Sequence, residues 1–344
     1  MKRKTFYLFL GSVSFLFILS GIACFFAYSK INSPVFEESV SQRTVYINKE
    51  RDYQDVLLQL NALGLKDSRL FETLASYMKY PENVKSGKYD LPSGISYLDL
   101  VRKLRSGDQD PISFTFNNIR LKEDFVDRVG EQFMFGPDVL GKKMNDPKTC
   151  VSLGFDTITI VSMFIPNTYE IYWNISVDKF LERMKKEYDR YWNEDRAKKA
   201  DAISLTPIEV SVLASIVEEE TADPSEYPVV AGLYLNRLKK GMLLQADPTV
   251  KFAVGDIALQ RILYKHLEVE SPYNTYKVAG LPPGPIRIPS IATLDAVLNP
   301  AQHNYLYMVA KEDFSGKHHF SRTLSEHNAY AKRYQAALNR AGIR

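Results

Sequence analysis

The stretch TPIEVSVLASIVEEET, residues 206–221, predicts more about the fold than any other part of the chain. Thr206, Pro207 and Glu209 form a helix start, because threonine caps the first turn, proline suits the first helical position and glutamate closes a capping box. The apolar residues that follow recur at helical spacing. We therefore predict a helix that packs against a core and ends in three consecutive glutamates.

The three glutamates are predicted to differ in their surroundings. At about 100° per residue, Glu220 falls about 20° from Leu213, the centre of the apolar face. Glu218 and Glu219 fall about 140° and about 240° from the same point, so they are expected to be solvated. Burial raises the pKa of a carboxyl group, and an acid protonated near neutral pH can donate to a leaving group. Glu220 is therefore a candidate catalytic acid, unless the helix frays at Thr221 and Glu220 turns outward.

Two downstream segments place polar side chains near this helix end. DPSE, residues 223–226, predicts the cap of a second helix, so Glu220 would lie at a corner between two helices. LLQADPTV (243–250) is broken by a proline, and residues 271–290 contain five prolines without a regular period, which is typical of functional loops. Each polar residue there has an alternative role in turn structure or packing. The first segment carries Gln245, Asp247 and Thr249, and Tyr273, Asn274 and Tyr276 in the second are the candidate sugar-holding side chains.

The N-terminus predicts a membrane anchor. Residues 6–28 carry no charge and would form a helix of roughly 34 Å, enough to span a hydrocarbon core of about 30 Å. A cleaved signal peptide is the alternative, with a shorter apolar stretch and a cleavage site. Basic residues at positions 2–4 predict that the tip (1–5) lies in the cytoplasm. Everything after the anchor (6–28) is then outside the cytoplasm, beginning with a linker (29–42).

Charge and residue composition exclude several classes of function. Four of the 44 basic residues lie in the first thirty positions, so the remaining chain is near neutral and nucleic acid is not an expected partner. Cys24 lies in the anchor and Cys150 stands alone, so no intrachain disulfide is expected. The five histidines form no zinc-binding motif, and no glycine-rich loop suits a phosphate. No metal or other cofactor is therefore predicted.

The elements outside the anchor predict an α+β fold. Strand, helix, helix and strand follow one another from RTVYI (43–47) to GKYDL (87–91), which is the order of a small LysM-like sugar-binding module. Many small domains share this order, so a structural spacer is the alternative. We place this βααβ subdomain at residues 43–110 and a mixed α+β catalytic domain at 111–344. Within the latter, FTFNNIRL (114–121) predicts a hairpin.

Three blocks resemble the signature of a known family. SIVEEET (215–221), NRLKKGMLLQADPTV (236–250) and SPYNTYKVAGLPPGPI (271–286) closely resemble the YceG-like family of membrane-anchored endolytic murein transglycosylases. The resemblance implies Glu220 as the catalytic acid. The chain departs from the family's pattern at Asn167, where an aspartate is usual. The resemblance also implies a groove formed by Asn236, Gln245, Asp247, Thr249, Tyr273, Asn274, Thr275 and Tyr276.

This resemblance carries expectations about substrate and location. It implies cleavage of the MurNAc–GlcNAc bond inside peptidoglycan strands, leaving 1,6-anhydro-MurNAc ends and terminating the elongation of nascent strands. It further implies a single-pass protein of the inner (plasma) membrane with a periplasmic C-terminal domain, working beside peptidoglycan polymerases. Two alternatives stay open. One is a peptidoglycan hydrolase that uses Glu220 with Asp247, and the other is a non-catalytic peptidoglycan-binding anchor of the synthesis machinery.

Overall fold

The computed structural model describes residues 2–37, 42–117, 119–256, 259 and 262–342. Helices and short two-stranded sheets make up these residues, which confirms the α+β class. The chain forms two compact units. Unit 1 comprises Met1–Ser113 with Glu170–Ile175, and unit 2 comprises Phe114–Tyr169 with Ser176–Arg344.

The first helix, α1 (Lys2–Ile31), contains the predicted membrane span. Within it, Leu8–Ile31 is 24 residues long with a mean hydropathy of 2.3, and none of its most apolar window is buried in protein. Large apolar side chains such as Phe17 and Phe26 are exposed along it. At 1.5 Å per residue the span is about 36 Å long, enough to cross a bilayer. A cleaved signal helix would have the same properties.

Unit 1 has the predicted strand, helix, helix, strand order. Its elements are β1 (Gln42–Ile47), α2 (Tyr53–Ala62), α3 (Ser68–Tyr77), β2 (Gly87–Pro92) and α4 (Tyr97–Ser106). Strands β1 and β2 pair antiparallel, with Val45 opposite Tyr89. The two helices and α4 bury Phe71 and Leu100 against this pair. The likeness to a LysM module stays a prediction.

Part of the segment predicted as a linker (29–42) is folded, since it includes the end of α1 and two residues of the core of unit 1. Helix α1 continues to Ile31, and Val35 and Phe36 are fully buried in the core of unit 1. The backbone N–H of Val35 donates to the carbonyl of Ile95 at 2.9 Å. Two large apolar side chains so close to a folded unit gain more from burial than from remaining in a solvated tether.

The rest of the chain alternates short strands with helices. In order, it forms β3 (Pro111–Thr115), α5 (Lys122–Gly130), α6 (Gly136–Met144), α7 (Pro147–Ser152), a 3-10 helix (Thr159–Met163), β4 (Thr168–Tyr172), α8 (Val177–Tyr191), α9 (Glu194–Ala202), α10 (Pro207–Glu220), a 3-10 turn (Pro224–Glu226), α11 (Tyr227–Lys239), α12 (Asp247–Val254), α13 (Tyr264–Leu267), α14 (Ile291–Leu298), β5 (Tyr307–Ala310), β6 (His318–Ser321) and α15 (Leu324–Arg340). Strand β3 pairs with β4, and β5 pairs antiparallel with β6.

The hairpin predicted at residues 114–121 is wrong. Strand β3 ends at Thr115 and pairs with the distant β4, while Asn118 lies outside the described residues. The rings of Phe114 and Phe116 both stack on Tyr169, with centroids 6.3 and 6.0 Å apart. Burial of these aromatic rings favours the long-range pairing over a local turn.

Helix α10 forms the centre of unit 2, as the sequence pattern predicts. Thr206 and Glu209 form both hydrogen bonds of the capping box, at 2.7 and 3.2 Å. Every residue from Val210 to Val217 is buried, so the helix is surrounded by protein on all sides over two turns. Helices α11, α12 and α14 pack against it. The end of α10 is consequently held rigidly where its glutamates begin.

Candidate active site

Glu220 is the last residue of α10, and its carboxyl group is largely removed from water. Its Oε1 accepts a hydrogen bond of 2.7 Å from the hydroxyl group of Tyr234. Burial raises the pKa of Glu220 to about 7, and the negative charge of Asp247 acts in the same direction. The Tyr234 hydrogen bond and the positive charges of Arg237 and Lys251 oppose this rise. Glu220 therefore keeps its proton in a substantial fraction of molecules at neutral pH.

Glu220 lines a cavity of about 200 Å³, here called the acid cavity. Helices α10 and α11, the start of α12 and the β5–β6 pair contribute its walls, and apolar side chains such as Leu233 and Met308 cover part of them. The polar side chains that share the cavity with Glu220 are Tyr234, Arg237, Gln245, Asp247, Tyr276 and His318.

Asp247, Tyr276 and Gln245 are three predicted groove residues that reach the acid cavity. The hydroxyl group of Tyr276 donates a 2.6 Å hydrogen bond to Oδ1 of Asp247. Burial, followed by this hydrogen bond, raises the pKa of Tyr276, so the phenol remains a neutral donor. Gln245 has a φ of 50°, a left-handed conformation that is uncommon for a residue other than glycine. Its N–H donates to the carbonyl of Thr275 at 3.0 Å, which stabilises this turn.

Three other predicted groove residues are buried supports of the loops. Thr249 and Thr275 join their hydroxyl groups at 2.8 Å, and the hydroxyl of Thr275 accepts from the N–H of Ala246 at 3.0 Å. The side chain of Asn274 donates to the carbonyl of Leu267 at 2.8 Å. Because these three polar side chains are almost fully buried and bonded to protein, they do not face the acid cavity.

Asn236 and Tyr273 lie at cavities other than the acid cavity. The amide of Asn236 donates to the carbonyl of His303 at 2.8 Å, and it lines a cavity of about 540 Å³ on the other side of α11. The ring of Tyr273 packs on Phe252 with centroids 4.6 Å apart, beside a cavity of about 190 Å³. The structure therefore separates these two residues from Glu220.

The expectation that Glu218 and Glu219 are solvated is wrong. Their side chains are only 12% and 15% exposed, and both form ion pairs with Arg287, at 3.1 and 2.6 Å. Glu219 also accepts from Arg120 at 2.9 Å, and Glu218 accepts from the N–H of Ser290 at 2.6 Å. The proline-rich segment lays Arg287 across the polar side of α10. A buried carboxylate needs such a partner, so the first two glutamates hold this loop in place.

Tyr234, Arg237 and His318 are cavity residues that the sequence analysis did not select. Arg237 is buried and donates to backbone carbonyls, including that of Leu244 at 2.7 Å. The ring Nδ1 of His318 lies 2.8 Å from a carboxylate oxygen of Glu226. A tyrosine and an arginine three residues apart on one face of an apolar helix were the available signal. The partner of His318 is 92 residues away along the chain and left no local pattern.

A family model described as the YceG-like family matches residues 45–333 of the chain. The chain belongs to the YceG-like family. The match begins in β1 and ends in α15, so it includes the part of unit 1 that follows residue 44 as well as the acid cavity of this YceG-like protein.

Three similar proteins place this YceG-like chain among its relatives. An endolytic murein transglycosylase of Bacillus subtilis is 34% identical, over 65% of this chain and 56% of that protein. An endolytic murein transglycosylase of Streptococcus pneumoniae is 26% identical, over 92% of this chain and 63% of that protein. The chain thus spans between 56% and 63% of the length of these two relatives. A crystal structure of a YceG-like protein from Listeria monocytogenes matches with a TM-score of 0.51 and 27% identity, over 85% of this chain and 99% of that one.

Proposed function

We propose that this YceG-like chain is a lytic transglycosylase that cuts peptidoglycan glycan strands internally. The bond cleaved is MurNAc–GlcNAc, and the new end is a 1,6-anhydro-MurNAc. The observation that carries the proposal is the state of Glu220, a carboxyl group that lines a cavity and whose pKa is raised to about 7. The names of the relatives from Bacillus subtilis and Streptococcus pneumoniae support the same activity.

In the proposed reaction, Glu220 acts first as an acid and then as a base. Protonated Glu220 gives its proton to the glycosidic oxygen, and the bond from that oxygen to C1 of the muramic residue breaks. The C6 hydroxyl oxygen of the same sugar attacks C1, and the Glu220 carboxylate accepts the hydroxyl proton. Glu220 ends protonated, and no water is consumed. Because the nucleophile is tethered to its target, proximity replaces the second carboxylate of a hydrolase.

The neighbours of Glu220 fit this sequence of proton transfers. The hydroxyl of Tyr234 donates to Oε1, which leaves Oε2 to carry the proton and exchange it with the substrate. Asp247 raises the pKa of Glu220 and supplies negative charge beside the sugar ring, where positive charge develops during bond cleavage. Tyr276 orients the Asp247 carboxylate by its 2.6 Å hydrogen bond.

A glycoside hydrolase is the second candidate, and the position of Asp247 favours it. A hydrolase uses two carboxyl groups, and Asp247 shares the acid cavity with Glu220. In that case Asp247 would activate a water molecule, and the new end would be heavier than an anhydro end by one water.

Analysis of cleavage products tests the proposal. The full-length protein in detergent micelles is incubated with purified peptidoglycan, and the strand ends are identified by mass spectrometry. Wild-type protein should yield anhydro ends. Glu220→Gln should bind the strands but lose roughly 10²- to 10⁴-fold of the rate, as expected for loss of general acid catalysis. Glu194→Gln, a change at an exposed glutamate of α9, is the matched control. Anhydro ends formed by Glu220→Gln at the control rate would rule out the assignment.

The cellular setting is part of the proposal. We propose that α1 is retained as a single-pass anchor in the inner (plasma) membrane, with residues 1–5 in the cytoplasm and both units on the periplasmic side. The basic tip and the apolar span support this orientation. Added protease should then digest the units only when it has access to the periplasmic face. Digestion from the cytoplasmic face would contradict the orientation.

Peptidoglycan polymerases are the proposed partners, because an enzyme that terminates nascent strands has to reach those strands while the polymerases are still extending them. A non-catalytic anchor of that machinery is the alternative. It predicts that Glu220→Gln leaves cell-wall strand length unchanged, whereas deletion of α1 alters it. The catalytic proposal predicts longer strands in cells carrying Glu220→Gln.

A further inference from the structure

Three small cavities follow one another along α12. Asp247, at its start, lines the acid cavity, and Lys251 lines a second cavity of about 50 Å³. Phe252 lines both the second cavity and a third of about 190 Å³, which Tyr273 also lines. Each is smaller than the ~300 Å³ of an ordinary small-molecule site. A polymer that passes the acid would therefore place a different part of itself in each cavity.

Two cationic side chains, Lys251 and Arg120, line the second cavity and have nitrogens that could bind an anion. Lys251 is half-buried, and it forms no hydrogen bond or ion pair with any residue that the structure describes. Arg120, on the same cavity, donates its Nε–H to Glu219 at 2.9 Å. Within the described parts of the chain, its two terminal nitrogens have no acceptor. A half-buried lysine without a counter-charge is unusual, because partial loss of water destabilises the ammonium group.

Carboxylates near these cations are already engaged by other groups. Arg287 pairs with both Glu218 and Glu219, at 3.1 and 2.6 Å. Asp247 accepts from Tyr276, and Glu220 accepts from Tyr234. The positive charge of Lys251 reaches the site of chemistry, since it lowers the pKa of Glu220. Glu219 lines the second cavity together with Lys251, but among the described residues its carboxylate pairs with Arg120 and Arg287 and not with Lys251. An incoming anion would therefore form the first ion pair of Lys251.

We propose that Lys251 and Arg120 form a subsite for a carboxylate carried by the muramic acid residue of the glycan strand. The inference rests on the proposed function, which brings such a sugar to Glu220. Lys251 is four residues after Asp247, a distance of about 6 Å along the α12 axis, which suits a substituent of the sugar at the acid. A cavity of about 50 Å³ has room for a group of a few atoms and none for a sugar ring.

The third cavity adjoins the second one, because Phe252 lines both. Phe252 and Tyr273 present a packed pair of rings there, and Lys122 lines the cavity too. The ammonium group of Lys122 bonds only neutral oxygens among the described residues, including the carbonyl of Thr157 at 3.0 Å. The part of the substrate that lies beyond the carboxylate would contact these rings.

Binding measurements separate this subsite from the catalytic step. Full-length Glu220→Gln in micelles is titrated with glycan strands in four forms: strands with their peptides, strands stripped of peptides to expose the lactyl carboxylate, and each of these two after conversion of its carboxylates to amides. Adding Lys251→Gln should raise the Kd for a carboxylate form by about tenfold, as for one charge-assisted hydrogen bond. Lys251→Arg should restore binding. Lys332→Gln, at an exposed lysine of α15, is the control.

Each outcome decides the inference. A Lys251 effect on peptide-bearing strands alone identifies the peptide carboxylate, and an effect on stripped strands identifies the lactyl carboxylate. Equal weakening of amidated strands, or no weakening at all, overturns the subsite. If wild-type protein still yields anhydro ends in that case, the subsite fails while the proposed function stands. Absence of strand binding by the parent Glu220→Gln overturns the subsite, and it overturns the proposed function as well if the wild type yields no anhydro ends.

Discussion

Replacement of Glu220 by glutamine is expected to stabilise the protein above neutral pH and to leave its stability unchanged in acid. The pKa of Glu220 is raised from 4.5 to about 7 in the folded protein. A pKa difference of this size means that the folded protein disfavours the charged form, relative to the neutral form, by about 3 kcal/mol of free energy. Below pH ~4.5 the folded and unfolded states both hold the proton, so burial costs nothing through this group. As the pH rises from ~4.5 through about 7, the unfolded state releases the proton more readily than the folded state, so the free energy of unfolding falls by about 3 kcal/mol and stays lower above that range.

Glutamine removes the titration and keeps the local contacts. Its side-chain oxygen can accept the 2.7 Å hydrogen bond that Tyr234 donates to Glu220. The variant should therefore match the wild type near pH 4 and exceed its free energy of unfolding by about 3 kcal/mol near pH 8. For a unit of this size the corresponding rise in Tm is roughly 2–4 °C per kcal/mol.

Urea unfolding of the full-length protein in one type of micelle, repeated across this pH range, measures the effect. Glu194→Gln is the control, because Glu194 is an exposed residue that pairs, among the residues the structure describes, with Lys198 on the surface of α9. Its stability should change by less than about 1 kcal/mol at every pH. A Glu220→Gln variant that is equally stable at pH ~8, or less stable than the wild type there, would refute the placement of a largely buried carboxyl group at this position.

Three further substitutions test the surroundings of Glu220. Asp247→Asn removes a negative charge that raises the pKa of Glu220, so the fall of the cleavage rate with rising pH should shift to lower pH in a pH–rate profile. Tyr234→Phe removes a hydrogen bond that lowers this pKa, so the same profile should shift to higher pH; no shift in either variant would contradict Glu220 as the titrating acid. Arg287→Gln removes the cation that pairs with Glu218 and one of the two that pair with Glu219, and it should cost about 3–5 kcal/mol in urea unfolding, whereas a change below about 1 kcal/mol would show that these ion pairs do not stabilise the loop.

Local signals were enough to predict α10 and the inward position of Glu220. The capping box of Thr206 and Glu209 defines where the helix starts, and the helical period then determines the face on which each later residue lies. Both are short-range properties of one segment. Tyr234, the residue that contacts Glu220, comes from the next helix and was not predicted, because its position depends on how α11 packs against α10.

The wrong expectations share a physical cause, which is contact between distant segments. Glu218 and Glu219 lie on the polar face of α10, and helical periodicity cannot show that Arg287, 68 residues further on, covers that face. Strand β3 likewise pairs with β4 through burial of aromatic rings, although its own sequence resembled a hairpin. In both cases a partner outside the local window decides the structure.

The resemblance to the family motifs predicted residues near the acid cavity, but it did not distinguish residues that face the cavity from residues that support the loops. Asp247 and Tyr276 face the acid cavity, whereas Asn274 and Thr275, their neighbours in the same motifs, are buried against protein. All four are polar side chains; Asn274, Thr275 and Tyr276 lie in an irregular segment, and Asp247 is the first residue of α12, although the sequence predicted an irregular segment there too. Whether such a side chain bonds a backbone carbonyl or faces a cavity depends on the closure of the loop, as the Asn274 hydrogen bond to Leu267 shows. Their roles toward a substrate stay predictions.

The most direct test of the chemistry assigned to Glu220 is cleavage of peptidoglycan in water labelled with heavy oxygen. If the C6 hydroxyl group of the substrate is the nucleophile, no solvent oxygen enters the new muramic end, and its mass stays that of the unlabelled anhydro sugar. A new end that carries one heavy oxygen atom in most product molecules would show that water attacks C1. That result would contradict the single-carboxylate mechanism and favour the hydrolase with Asp247.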